Sequence, residues 1–173
     1  MGQLMIEIVS SDDLTTSLLD EIREWLVSVF IEVGDQTEWS SADWHVLGWI
    51  DGELISHADV VRRDVLVGGS KVSVGGVGGV VTKARWRGKG FGSRLMREAH
   101  RFMLDEIEVD FGLLMCDEAL VPFYERLGWQ IARNPLVYDQ PSGKVLFDDA
   151  VMVLPVKQDG FPDGEIDIHG YPW

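Results

Sequence analysis

Arg87-Gly88-Lys89-Gly90-Phe91-Gly92 places three glycines and two basic residues in six consecutive positions. An apolar run, Val77 to Thr82, precedes this stretch, and apolar residues at helical spacing follow it from Ser93 to Leu104. A glycine-rich turn that opens a helix exposes backbone N–H groups beside the positive end of the helix dipole, which together bind anions. The stretch therefore predicts a phosphate or pyrophosphate site at a strand–turn–helix junction.

The composition indicates a chain that folds around its own core. With 173 residues, 46% of them hydrophobic, and 7 tryptophans, it fits one compact domain spanning 1–173. No apolar run reaches the ~18 residues of a membrane span, and the first ten residues lack the cationic start of a signal peptide. A single cysteine, Cys116, excludes an internal disulfide and fits a reducing compartment. We therefore expect a cytoplasmic protein with no membrane partner.

The charge is acidic overall and unevenly placed. The chain has 15 Lys+Arg against 29 Asp+Glu, a net charge of −14, which argues against nucleic acid as a partner. Yet seven basic residues and one acid lie between Lys83 and Arg101, whereas seven acids and two lysines lie between Asp139 and Trp173. Basic surroundings for a polyanion and acidic surroundings for a cation suit an enzyme that joins two such substrates.

The first half of the chain predicts a strand, a helix and three antiparallel strands. Alternation near Ile6–Ile8 indicates the first strand, and apolar spacing indicates an amphipathic helix over 14–32, capped by Asp12 or Asp13 and ended by Gly34. A polar loop or short helix follows over 35–43. The remaining predictions are strands at 45–50, 53–62 and 71–82, with two-residue turns at Asp51-Gly52 and at Gly68-Gly69, the second preceded by Val65–Val67.

The second half alternates helices and strands. The predictions are a helix at 93–104, a buried strand at 111–116, a short helix at 118–127, and strands at 129–132 and 150–156, with a turn at Pro141-Ser142-Gly143. The order predicts an α+β fold with a mixed sheet and helices on its faces. Four glycines interrupt the strand at 71–82, namely Gly75, Gly76, Gly78 and Gly79, and they indicate either a bulge, a close approach by a ligand, or a flexible segment.

The glycine-rich stretch carries a family resemblance. It is neither a Walker loop nor a dinucleotide fingerprint, because Arg87 occupies the first position. Arg-x-x-Gly-x-Gly after three antiparallel strands resembles the acyl-CoA loop of the GNAT N-acetyltransferase superfamily. The resemblance implies the GNAT fold, a mixed and mostly antiparallel central sheet flanked by helices, with acetyl-CoA as cofactor. It implies coenzyme contacts at Val80, Val81, Thr82, Arg87, Gly88, Lys89, Gly90, Phe91, Gly92 and Ser93.

A second stretch, Phe123 to Trp129, also resembles this superfamily. A tyrosine on a short helix before Gly-Trp often lies near the coenzyme sulfur there and protonates the departing thiolate. Tyr124 is the matching position. The alternative is a tyrosine that only packs on an amphipathic helix.

The chain as a whole is similar to the aminoglycoside 2′-N-acetyltransferases. The similarity rests on Gly34-Asp35, Trp86-Arg87-Gly88, Tyr124 to Trp129, Val151 to Pro155 and the tryptophan at the C-terminus. In that family carboxylates hold the substrate amines. The resemblance places them at Asp35, at Asp148 or its neighbour Asp149, and at the terminal carboxylate of Trp173, with Asp167 as another contributor.

One position departs from that family. A glutamate of the family, which relays the amine proton, corresponds to Gly78 here. With one carboxylate fewer, we expect a smaller or less cationic aminoglycoside such as kasugamycin, and a water held by Asp35, Asp117 or the terminal carboxylate as the route for the proton. A backbone N–H of Val80 or Val81 would meet the oxyanion. Trp39 or Trp44 either lines the acceptor site or packs in the core.

Several alternatives remain open at this point. A GNAT enzyme could instead acetylate a polyamine or a protein N-terminus, and a non-catalytic acyl-CoA sensor could keep the loop without the chemistry. We expect no metal site, because His45, His57, His100 and His169 show no paired ligand spacing. We also expect Cys116, which ends an apolar strand, to be a buried thiol rather than a nucleophile. The partner would be a small-molecule amine, and a homodimer is expected by analogy alone.

Overall fold

One sheet of ten strands runs through the described residues, 2–31 and 35–173, of the computed structural model. The strands are β1 (Met5–Ser10), β2 (Trp44–Ile50), β3 (Glu53–Val67), β4 (Ser70–Thr82), β5 (Phe111–Cys116), β6 (Gln130–Ala132), β7 (Leu136–Gln140), β8 (Gly143–Phe147), β9 (Ala150–Pro155) and β10 (Ile166–Asp167), and the helices are α1 (Thr16–Phe30), α2 (Phe91–Asp105) and α3 (Val121–Glu125). From one edge of the sheet the order is β6-β9-β5-β4-β3, and both β2 and β10 pair with β3 on its far side. This confirms the predicted α+β fold.

The three central strands form two tight hairpins. Asp51 and Gly52 have φ of 51° and 80°, and Gly68 and Gly69 have φ of 57° and 83°. Two consecutive left-handed residues are what a two-residue turn needs to match the strand twist, so both predicted turns are confirmed. The predicted break near residue 63 is absent, since β3 runs unbroken over Glu53–Val67.

The sheet splits between β4 and β5. These parallel strands pair over Val74–Gly76 and Phe111–Leu113 and, within the described residues, over no others. On its other edge β4 carries a bulge, since Gly78 pairs with Asp59 and Val81 with His57, which leaves two β4 residues opposite one. Gly79 supplies the left-handed conformation there, with φ of 55°. The bulge turns the last residues of β4 away from β5 and opens the sheet.

Two layers cover the sheet. On one face, α2 buries Leu95, Met96 and Met103 against β2, β3 and β4. On the other face, α1 covers Leu47 and Leu54 of the first hairpin, and the C-terminal segment from β10 to Trp173 covers the rest. None of the helices within residues 2–31 and 35–173 is long and apolar enough to cross a membrane.

Some predicted boundaries are wrong. The N-cap of α1 is Thr15, whose side chain accepts a hydrogen bond from Leu18 N at 3.3 Å, while Asp12 and Asp13 belong to a preceding 3-10 turn. The helix ends at Phe30, and Gly34, predicted to end it, lies outside the described residues. The predicted helix over 118–127 is a 3-10 turn followed by α3. The predictions missed β7, β8 and β10, three short strands beyond the central hairpins.

Close packing contacts explain three of the glycines in β4. A Cβ at Gly76 would overlap the indole of Trp173, and a Cβ at Gly78 would lie 2.6 Å from the carbonyl carbon of Trp173. A Cβ at Gly75 would overlap Met103 of α2. These glycines and the bulge at Gly79 support the bulge and close-approach interpretations. The group that approaches Gly76 and Gly78 is the protein's own Trp173.

Replacing Gly76 with alanine tests this account. The added methyl group would force Trp173 off β4, and we expect the free energy of unfolding to fall by about 1–3 kcal/mol. Urea unfolding measures the loss. Gly92→Ala is the matched control, because a Cβ there would meet its nearest neighbour at 3.5 Å, an ordinary contact. Equal stability of the two variants would contradict the packing role of Gly76.

Candidate active site

The predicted anion site forms at the start of α2. Gly90 is the N-cap, with φ of 80°, and no side chain within the described residues caps the helix. Gly88 also has a left-handed φ of 73°, and a Cβ at either glycine would meet nothing within 4 Å. The first N–H groups of a 15-residue helix thus face open space, as an anion site requires. The helix begins at Phe91, two residues before the predicted start.

Four basic side chains lie around this turn, and they differ in the groups that they contact. Arg87 Nε donates to Thr82 O at 2.9 Å, and Lys89 Nζ lies 4.7 Å from the centre of the Trp86 ring. Lys83 and Arg85 both pair with Glu53 and are thereby partly neutralised. Within the described residues no carboxylate pairs with Arg87 or Lys89, so both charges are available to a phosphate at the turn.

Tyr124 lies beside the opening of the sheet. Its ring is buried in the cluster that also holds Val77 of β4 and Leu114 of β5. Burial, and then the neighbouring Cys116, raise the pKa of the Tyr124 hydroxyl well above its usual value. The hydroxyl therefore keeps its proton at neutral pH and can donate it to a stronger base. The ring also packs edge-on against Trp129, 6.2 Å between centroids.

Cys116 ends β5 at the same opening. Burial, followed by the charges of Asp149 and Asp117, raises the pKa of its thiol to about 11. A thiol is not a nucleophile until it is ionised, so this environment disfavours covalent chemistry at Cys116.

Two of the predicted substrate carboxylates, Asp148 and Asp35, act on Tyr138 of β7 through their charge. Burial raises the pKa of the Tyr138 hydroxyl, and the charges of Asp148 and Asp35 raise it further. The segment that carries Asp35 is tied to the C-terminal segment, since Ser40 N donates to Pro172 O at 2.7 Å. Trp39, 46% exposed, belongs to the same segment.

Other predicted residues lie apart from this group. Trp44 packs edge-on against Phe102 of α2, 5.3 Å between centroids, and so belongs to the other face of the sheet. Asp117 accepts a hydrogen bond from Ala119 N at 2.7 Å. Asp149 accepts hydrogen bonds from Glu118 N at 3.0 Å and Ala150 N at 2.8 Å, at the rim of an open depression of about 490 Å³. Of the two neighbours, Asp148 is the one whose charge raises the pKa of Tyr138.

Trp173 lies against β4 on the same face as His57 and Asp59. The Arg63 guanidinium stacks 5.0 Å from the centre of its indole ring. The carbonyl carbon and oxygen of Trp173, which belong to the carboxyl group predicted to hold substrate, lie beside Gly78 and take the space that a side chain there would need. The C-terminal segment therefore fills the place where a side chain at position 78 would lie.

The sequence analysis missed a buried polar cluster. His45 Nδ1 lies 3.0 Å from His57 Nε2 and 3.0 Å from Asp59 Oδ1, and His57 Nε2 lies 3.2 Å from Asp59 Oδ1. We call these three residues the His–His–Asp cluster. The three atoms lie close enough together to hold a metal ion, so the premise that the histidines are unpaired is wrong for His45 and His57. The expectation of no metal site stays a prediction.

A bulge in the first hairpin explains why the cluster was missed. Next to the turn Ile50 pairs with Glu53, but Gly48 pairs with Ser56, because Ile55 is an extra residue. This shift pairs His45 with Asp59, so the two side chains share a face of the sheet. An ideal two-residue hairpin would pair His45 with Ala58, and His45 and Asp59 would then lie on opposite faces.

The cluster keeps its carboxylate ionised. Burial by itself raises the pKa of Asp59, but the ring nitrogens of His45 and His57, 3.0 and 3.2 Å from its carboxylate, outweigh it and bring that pKa well below its ordinary value. The cluster lies in the seam between the residues under α1 and those under the C-terminal segment. A charged group with buried partners in such a seam is a candidate for function as well as for structure.

Comparison with known proteins places these features in a family context. A model of the acetyltransferase (GNAT) domain family matches residues 12–132. Escherichia coli ElaA shares the fold with a TM-score of 0.67 at 19% identity, over 88% of this chain and 99% of ElaA. E. coli YhbS, solved in complex with CoA, gives 0.64 at 19% identity over 98% and 91%. A GNAT acetyltransferase from Brucella melitensis, solved with acetyl-CoA, gives 0.57 at 17% identity over 96% of each chain.

The turn at Gly90 can be tested with CoA as the probe. A methyl group at Gly90 would occupy the open space in front of the helix, and we expect Gly90→Ala to raise the Kd for CoA about tenfold, a loss of about 1.4 kcal/mol. Gly160→Ala is the matched control, because Gly160 has φ of 75° and also has nothing within 4 Å, so its backbone strain is similar. Calorimetry that shows equal Kd values for both variants would contradict an anion site at this turn.

Proposed function

The chain belongs to the GNAT acetyltransferase family, and from this premise we propose that it transfers an acetyl group from acetyl-CoA to the 2′-amino group of an aminoglycoside. The observation that carries the acceptor class is that the charges of Asp148 and Asp35 both act on Tyr138, in an acidic chain with a basic turn for the coenzyme. Carboxylates attract an amine-bearing sugar to one end of the opening, and the turn holds the donor at the other.

The opening of the sheet supports acetyl-CoA as the acetyl donor. The edge of β4 from Val80 to Thr82 makes no ladder with β5 in the described structure, so its backbone groups can pair with the pantetheine arm, as a peptide pairs with a sheet edge. Beyond the bulge, a backbone N–H of Val80 or Val81 meets the developing oxyanion. The contacts of Arg87 to Ser93 hold the pyrophosphate at the N-terminus of α2.

Kasugamycin is the first aminoglycoside to test. The space beside Gly78 holds the carbonyl of Trp173 instead of a glutamate side chain. A site with fewer side-chain carboxylates binds a less cationic sugar better than a polycationic one, because each unmatched ammonium loses hydration without gaining a partner. Asp35, Asp148 and the C-terminal segment at Trp173 are the proposed contacts, with Trp39 beside them.

A polyamine is the second candidate, and the same carboxylates favour it. Asp139 and Asp167 belong to the acidic C-terminal half of the chain, but Lys144 Nζ bridges them at 2.8 Å each. This internal ion pair reduces the number of carboxylates available to a long polycation. The aminoglycoside is therefore the better supported of the two.

An acceptor panel tests the proposal. Purified protein is mixed with acetyl-CoA and kasugamycin, gentamicin, spermidine or a peptide with a free N-terminus, and thiol release is followed. We expect turnover with kasugamycin and acetylation of its amine, located by mass spectrometry. Turnover with spermidine or peptide alone would overturn the aminoglycoside assignment. Tight CoA binding with no turnover on any amine would indicate an acyl-CoA sensor.

Tyr124→Phe tests the leaving-group step. Removing the hydroxyl should lower kcat about 100-fold while the Kd for CoA stays within twofold, because a general acid acts only as the C–S bond breaks. Stopped-flow thiol detection gives kcat, and calorimetry gives Kd. Tyr171→Phe is the control, since Tyr171 is 38% exposed on the C-terminal segment. An unchanged kcat would leave Tyr124 with a packing role alone.

A further inference from the structure

We propose that Asp59, backed by His57 and His45, accepts the proton of the acceptor amine and replaces the carboxylate that the family resemblance puts at Gly78. This inference rests on the proposed acetyl transfer to an amine. The expected route through a water on Asp35, Asp117 or the C-terminus gives way to a route through the His–His–Asp cluster.

Asp59 is placed at the point where β4 leaves β5. In the β3–β4 ladder Asp59 is the direct partner of Gly78, so a side chain at either position projects from the same face of the sheet. A Cβ at Gly79 would lie 2.5 Å from Asp59 Oδ2. The glycine at the bulge therefore leaves room for this carboxylate beside the backbone proposed to hold the thioester.

The three side chains of the His–His–Asp cluster differ in their exposure to solvent. The Asp59 side chain is 18% exposed, the His45 side chain 8% and the His57 side chain 0%. Asp59 is thus the member that an incoming amine can touch, and the histidines stand behind it. Asp59 is the proposed catalytic residue, and His57 and His45 are positioning residues that act through it.

The hydrogen bonds assign the protons of the cluster. His57 Nδ1 lies 2.9 Å from Gly79 O, and because a carbonyl only accepts, Nδ1 carries a hydrogen. In a neutral ring His57 Nε2 then has a lone pair. That lone pair accepts from His45 Nδ1 at 3.0 Å. Asp59 Oδ1 lies 3.0 Å from His45 Nδ1 and 3.2 Å from His57 Nε2, but it is buried without a hydrogen-bond partner in the described structure.

The cluster therefore has room for one more proton. Three polar atoms 3.0 to 3.2 Å apart share a single hydrogen when both rings are neutral. A proton added at His57 Nε2 forms an imidazolium that donates to the Asp59 carboxylate. The added positive charge cancels the buried negative one, so protonation leaves no net charge in the seam.

The proton balance of the reaction then closes. The acceptor enters as an ammonium, one N–H bond breaks, and the proton passes through the Asp59 carboxylate to His57 Nε2. The amine lone pair attacks the thioester carbonyl carbon, and the C–S bond breaks with its electrons on sulfur. The thiolate takes the Tyr124 proton, and the second proton from nitrogen restores Tyr124. The proton held by the cluster leaves to solvent past Asp59, so each turnover releases one proton.

Asp59→Asn tests the inference, because the amide keeps the shape and loses the negative charge. We expect kcat/KM for the acceptor to fall about 100-fold at neutral pH while the Kd for CoA is unchanged. In the wild type, kcat/KM should level off below the pKa of the amine. In the variant it should keep rising with the fraction of unprotonated amine, so the deficit shrinks at high pH. A purely structural role would lower activity equally at all pH values.

Two further variants and a chelator complete the test. Asp64→Asn is the control, since Asp64 lies on the same strand, half exposed, and pairs with Lys71 at 2.8 Å. His57→Gln keeps a donor for Gly79 O but has no basic nitrogen, and it should repeat the pH effect; it carries the test if Asp59→Asn does not fold by circular dichroism. Activity that is lost in EDTA would assign the three atoms to a metal ion and overturn the relay.

The outcomes separate this inference from the proposed function. Wild-type protein that acetylates none of the amines would overturn the function, and the relay with it. Wild-type turnover with an unaltered pH profile in Asp59→Asn and His57→Gln would overturn the relay alone.

Discussion

The structure depends on the short parallel contact between β4 and β5. Three residues of each strand pair, and the pairing ends at Gly76, three residues before the bulge residue Gly79. A strand that kept its ladder would close the sheet, and no thioester could reach the reacting amine. The left-handed Gly79 lets β4 stay paired with β3 while it leaves β5. The anion turn, Tyr124 and the His–His–Asp cluster are all arranged around this opening.

The glycines of β4 allow close packing against both faces of the strand. Met103 of α2 packs over Gly75 from one side, and Trp173 packs over Gly76 and Gly78 from the other. Side chains at these positions would hold both layers farther from the sheet. The close approach of Trp173 explains why positions 76 and 78 are glycines, and Asp59, the cross-strand partner of Gly78, supplies a carboxylate one strand away.

Local signals made most of the fold predictable. The Asp51-Gly52 and Gly68-Gly69 turns, the glycine-rich turn before α2 and the apolar strand β5 are each encoded within a few residues. The hairpin of β7 and β8 was missed because it is half exposed and lacks a clear alternation. The His–His–Asp cluster was missed for another reason. Its register depends on Ile55 as an extra residue, and a bulge of this kind arises from packing on both faces, not from the turn itself.

One helix connects the two ends of the donor site. The N-terminus of α2 forms the anion turn, and Met103, near its C-terminus, presses on Gly75, beside the last paired residues of β4 and β5. From Phe91 to Met103 the helix rises about 18 Å, at about 1.5 Å per residue. The length of α2 therefore sets the distance between the phosphate end and the point where the sheet opens. One inserted residue would rotate the rest of the helix by about 100° and lengthen it by about 1.5 Å. The length of α2 is therefore more restricted than the identity of its exposed residues.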